Sequence, residues 1–79
     1  MKLIGRVEND SNAELMFGAN VFVSDKNGKV LSPPNGVATD PDGKYELNNV
    51  NIGDYVSVSS IGFKTATYKV PPVTMNVWQ

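Results

Sequence analysis

An all-β sandwich is the fold class this sequence predicts, and three observations predict it. Short runs rich in Val, Thr, Tyr and Phe are punctuated by Gly, Asn, Asp and Pro about every ten residues. The i, i+3, i+4 spacing of an amphipathic helix is absent. Within most runs the apolar residues keep a single parity, as strands with one buried face do.

The spacing predicts strands over 3–8, 18–24, 29–32, 36–39, 43–48, 54–60, 63–70 and 73–78. Parity assigns the inner faces. Leu3 and Val7 fall together on the first run, Ala19, Val21 and Val23 on the second, and Tyr45 and Leu47 on the fifth. Val56 with Val58, and Val73 with Met75 and Val77, complete the expected core. Two sheets packed through such faces enclose a layer about 10 Å thick, which a chain of this length can close. "DKNG" at 25–28 and "DPDG" at 40–43 read as tight turns, with Gly28 and Gly43 supplying positive φ. The proline pairs in "SPPNG" (32–36) and "VPPV" (70–73) cannot donate ladder hydrogen bonds and mark strand ends or edges.

Composition narrows the function. The 79 residues form one domain, 1–79, that must rely on its packed core, since a chain this short buries only about 60–65% of its unfolded surface. There is no cysteine and no histidine, which removes disulfides, the usual transition-metal ligands and every Ser-His or Cys-His nucleophile. Seven basic and eight acidic residues, unclustered, give a net charge of -1 and no electrostatic footprint for nucleic acid or an anionic membrane. "MKLIGRVENDSNAEL" is interrupted by Gly5 and Arg6 after Leu3 and Ile4, so it is not a signal peptide, and no run reaches the roughly 20 apolar residues of a membrane span.

Several segments occur together in a distinctive order. "LIGRVEND", "GANVFVSDKNGKV" and "GVATDPDGKYELNNVNIGDYVSVSSIGFKTA" carry Gly5 and Val7, then Gly18-Ala19 with Val21. Thr39-Asp40 and Asp42-Gly43-Lys44-Tyr45 follow, and then the Gly53 turn and the closing Val58 to Lys64. Over roughly residues 3–70 this series resembles the carboxypeptidase regulatory-like domain, a transthyretin-like, Ig-like β-sandwich. The resemblance implies a seven-stranded antiparallel Greek-key sandwich (six to eight strands from the sequence pattern), without catalytic activity and without a cofactor. Domains of this kind accompany carboxypeptidases, precede the plugs of outer-membrane receptors, and decorate surface and virion proteins.

The pair Asp40 and Asp42 before Gly43 also has the look of a calcium loop. The twelfth residue from Asp40 is Asn51 where a bidentate Glu is needed, and the fifth is Lys44, whose ammonium repels a cation. Asp40, Asp42 and Gly43 are therefore expected to form a structural turn, with Asp40 accepting backbone N–H groups, and no metal site is expected. Glu8, Glu14, Asp25, Glu46 and Asp54 are scattered and read as solvated surface.

Phe22 and Tyr55 take the opposite parity to their core neighbours, as does Ile4. Trp78 does too, and it either meets a partner or folds back over the open end of the core. Met16 and Phe17 lie just before the second strand, where the resemblance implies an apolar residue tucked under the sandwich, and Phe17 is expected to take that place. Outward aromatics are typical interface anchors, so Phe22, Tyr55 and Trp78 are the candidate protein contacts. The function expected is a non-enzymatic module that binds a protein, either another subunit or its own copy, as an accessory or decoration subunit of a larger assembly such as a bacteriophage capsid. Such a subunit would be found in the virion, or in the cytoplasm before assembly. The alternatives are a domain of an outer-membrane receptor or secreted carbohydrate-active protein, and a carbohydrate-binding module using Trp78 and Tyr55.

Overall fold

Seven strands form in the computed structural model, which describes residues 1–71 and 74–77. They are β1 (Leu3–Asn9), β2 (Asn20–Ser24), β3 (Gly36–Ala38), β4 (Lys44–Leu47), β5 (Tyr55–Ser59), β6 (Ala66–Lys69) and β7 (Thr74–Val77). One sheet has the order β4-β1-β7 and the other β3-β2-β5-β6. The chain passes between sheets after β1, β3, β4 and β6. Pairing is antiparallel except that β7 runs parallel to β1, with Val7 opposite Met75 and Asn9 opposite Val77.

Alternation fixes the register. Leu3 stands opposite Leu47 and Gly5 opposite Tyr45 in the first sheet, and Val21 opposite Val58 and Val23 opposite Val56 in the second. A slip of one residue would send each of these to water. Leu3, Val7, Ala19, Val21, Val23, Tyr45, Leu47, Val56, Val58, Met75 and Val77 are all buried, as parity predicts. Val73, the remaining expected core residue, lies outside the described residues. The core also includes Val50, in the connection after β4, and Ala66 and Val70, at the start of β6 and just beyond its end.

Two expectations are corrected. Residues 29–32 form no strand; only an isolated bridge joins Val30 to Ser24. The reason is that this side of β2 is already occupied. Val21 faces Val37 of β3, and the Val23 amide donates to the Asn35 carbonyl at 2.9 Å. Phe17 does not tuck under the sandwich but is 70% exposed. Gly18, at φ 77, turns the chain there. Met16 takes the packed position against the core and Phe17 points outward.

A candidate protein-contact surface

The outer face of the β3-β2-β5-β6 sheet is divided by the connection between β2 and β3. Its first part is the turn Asp25 to Lys29. Asp25 Oδ1 accepts the Asn27 and Lys29 amides at 2.8 and 3.0 Å, and the Gly28 amide donates to the Asp25 carbonyl at 3.1 Å. The Lys29 and Asn27 amides, in that order, hold the Asp25 carboxyl below the ordinary carboxylate value. The turn folds back over the sheet, and a Cβ on Gly28 would lie 3.0 Å from Thr67 Oγ1 and 3.5 Å from Ser57 Oγ.

Beneath this cover lie three hydroxyls on adjacent strands. Ser24 and Ser57 meet at 2.7 Å, and so do Ser57 and Thr67. Ser24 Oγ donates its single proton to the Asp25 carbonyl at 2.9 Å. Ser57 must then donate to Ser24, and Thr67 to Ser57, so the chain runs in one direction. Ser24 and Ser57 are buried although their parity is outward. Burying hydroxyls is tolerable only because each one is bonded.

Beyond the cover the face stays open. Phe22, half-buried, lies between Gly36 of β3 and Ser57 of β5 and, with Val30, Pro34, Ala38 and Ser59, lines a shallow hollow. The floor is low because Gly36 has no side chain; a Cβ there would meet the Val21 carbonyl oxygen at 2.9 Å. Tyr55, also half-buried, is in register with Ser24 and Lys69 at the far end of β5, so the structure places it on the same sheet face but away from the hollow. Trp78 lies outside the described residues.

Further exposed apolar residues sit in connections, where parity has no strand to act on. The pairing of Asn20 with Ser59 brings the connection before β2 and the turn after β5 to one end of the sandwich. There Leu15, Phe17 and Ile61 are exposed, Ile61 completely. Ile52 projects from the connection between β4 and β5, whereas Ile4 projects from the outer face of β1, as its parity predicts.

The Asp40 turn repeats the geometry of the Asp25 turn residue for residue. Asp40 Oδ1 accepts the Asp42 and Lys44 amides, both at 2.9 Å, and the Gly43 amide donates to the Asp40 carbonyl at 2.8 Å. Gly43, at φ 72, is wedged under the preceding chain, and a Cβ there would lie 3.0 Å from the Val7 carbonyl oxygen and from Leu15 Cβ. Asp42 is exposed beside it. Thr39 anchors the neighbouring segment, its hydroxyl accepting the Ala19 amide at 2.9 Å and donating to the Met16 carbonyl. Among the described residues no three acidic side chains converge as metal ligands would.

A family model of the carboxypeptidase regulatory-like domain matches residues 2–77. No curated protein and no solved structure gives a significant match. With nearly the whole chain matched, and with its strands arranged as a two-sheet sandwich, the chain belongs to the carboxypeptidase regulatory-like domain family of non-catalytic β-sandwich modules.

Proposed function

We propose that this domain binds another protein through the outer face of the β3-β2-β5-β6 sheet, as an accessory or decoration subunit of a larger assembly such as a bacteriophage virion. One observation carries the reading. Phe22, Val30, Pro34 and Ala38 gather apolar surface into a hollow that no other described segment covers. An apolar hollow centred on an aromatic, with Asn20 and Ser59 at its margin, has the makeup of a small contact site: an anchor and a polar rim. Membership of a non-catalytic family supports the non-enzymatic half of the proposal.

The test uses Phe22→Ala and, independently, Ala38→Glu, which adds a charge at an exposed lining position. Each variant is measured for occupancy in the particle or complex isolated from its source, with circular dichroism as the check on folding. Removing an anchor costs about 2 kcal/mol or more, roughly a thirtyfold loss of affinity. Wild-type occupancy in both folded variants overturns the proposal.

A further inference from the structure

We propose that Asn27 is a site of spontaneous deamidation, so that the Asp25–Lys29 turn is a slow, irreversible charge switch. The chain contains two Asn-Gly pairs, Asn27-Gly28 and Asn35-Gly36, and the structure treats them differently. In this reaction the backbone nitrogen of the glycine, having lost its proton to solvent base, attacks the asparagine Cγ. The new C–N bond closes a five-membered succinimide as the Cγ–Nδ2 bond breaks, and the amide leaves as ammonia. Water then opens the ring at either carbonyl, leaving aspartate or isoaspartate. Glycine favours the step because no Cβ hinders approach to its nitrogen.

Asn27 is exposed, and its side-chain amide makes no hydrogen bond among the described residues. Among the described residues the Gly28 nitrogen is engaged by Asp25 alone, through the 3.1 Å bond to its carbonyl and its proximity to the carboxylate, within one turn. Asn35 is held on both sides: its Nδ2 donates to the Asn48 carbonyl at 2.7 Å, and its own carbonyl accepts the Val23 amide at 2.9 Å. Gly36 begins β3 and is held in register with Phe22 of β2. Ring closure at Asn35 must pull an anchored side chain and a strand residue apart, whereas ring closure at Asn27 opens one surface bond. The product places a new carboxylate two residues from Asp25 on a chain whose formal net charge is -1.

The experiment ages the intact chain at mildly alkaline pH, folded and in urea. Cleavage at glutamate releases residues 15–46, which contain both asparagines, and fragment-ion mass spectrometry localises a gain of about 1 Da, the difference between carboxyl and carboxamide. In the folded chain Asn27 should convert at least about tenfold faster than Asn35, a difference of about 1.4 kcal/mol in barrier. In urea the two sites should convert within about twofold of one another, since only chain-local chemistry remains. Asn27→Gln, which would have to close a six-membered ring, should abolish the early acidic species while leaving the fold intact. Conversion of Asn35 first, a folded-state ratio equal to that in urea, or an unchanged Asn27 after the unfolded chain has converted, overturns the proposal.

Discussion

The Tyr68 hydroxyl accepts the Asn76 amide and donates to the Asn76 carbonyl, both at 2.9 Å, so one side chain of β6 completes the free edge of β7 in the facing sheet. This clasp joins the sheets on the side of the sandwich away from β3 and β4. It also satisfies an edge that would otherwise offer a bare N–H and C=O to another chain. Tyr68→Phe keeps the ring and removes both bonds, leaving the two part-buried backbone groups unpaired. A loss of about 1–3 kcal/mol is expected in denaturant melts. An unchanged midpoint would show that water replaces the hydroxyl without cost.

Gly43→Val should destabilise through two separate causes. A β-branched residue resists φ 72, and its Cβ would collide with Val7 and Leu15 backbone and side-chain atoms at 3.0 Å. Strain of this kind typically costs about 1–3 kcal/mol. Gly28→Val at the matching position of the other turn meets one side-chain oxygen at 3.0 Å and no backbone atom that close, so its loss should be the smaller of the two. Equal losses would show that φ alone sets the cost.

Tyr45 packs across the strand from Gly5, where a Cβ would lie 2.6 Å from the Tyr45 hydroxyl oxygen. That hydroxyl is buried and has no hydrogen-bond partner. Burial pushes its pKa up from the ordinary tyrosine value. The neutral phenol is therefore the folded form, and the associated stability is present below about pH 10 and is lost as pH rises through the folded-state pKa. Tyr45→Phe removes an unsatisfied polar atom and should be neutral or stabilising by up to about 1 kcal/mol. It should also make the alkaline end of the stability profile flatter. Gly5→Ala should destabilise the wild type, and a double-mutant cycle with Tyr45→Phe should show the two positions coupled. Additive effects would mean that the ring moves aside freely.

Asp25 gives the opposite sign of pH dependence. The Lys29 and Asn27 amides stabilise its carboxylate in the folded chain, so its contribution is present above the unfolded carboxyl pKa near 3.9 and disappears as pH falls through the lower, folded value. A carbonyl-detected NMR titration should find Asp25 titrating below the ordinary aspartate value, and Asp25→Asn should reduce the acid dependence of the thermal midpoint. An ordinary pKa would mean that the turn opens in solution.

Alternation made most of the core legible because each strand has one face against the opposite sheet, and a period of two leaves Val21, Val23, Val56 and Val58 only one way to point. The same rule put Phe22 on the outer face, but it could not name the neighbours that turn that face into a hollow. Val30 and Pro34 arrive on a connection whose Val30-Leu31 run imitates a strand, and strand pairing depends on whether a neighbouring edge is free. Phe17 and Met16 are adjacent apolar residues, and which of them packs is decided by the turn at Gly18. Ser57 is the clearest limit. It is a serine at outward parity, yet it is fully buried because a distant turn closes over it.

That burial makes the hydroxyl chain testable. Ser57 is the middle of a one-way chain in which Thr67 donates to Ser57, Ser57 to Ser24, and Ser24 to the Asp25 carbonyl. Ser57→Ala deprives Ser24 of a donor and Thr67 of an acceptor at once, beneath a cover in which Gly28 already sits 3.0 Å from Thr67 if a Cβ is built on it. Ser24→Ala, at the end of the chain, leaves the bond between Ser57 and Thr67 intact. If the hydroxyls hold the cover down, Ser57→Ala should cost about 1–3 kcal/mol and Ser24→Ala less: each removes two bonds, but after Ser24→Ala the Asp25 carbonyl still accepts the Gly28 amide and only Ser57 is left short, whereas Ser57→Ala leaves both Ser24 and Thr67 short of a partner. Amide hydrogen exchange at Gly28 and Lys29 should accelerate in step with the loss, since opening of the turn is the local event that these bonds resist. Equal costs for the two variants, or unchanged exchange in the turn, would separate the hydroxyl chain from the cover and leave the packing of Gly28 alone to hold it.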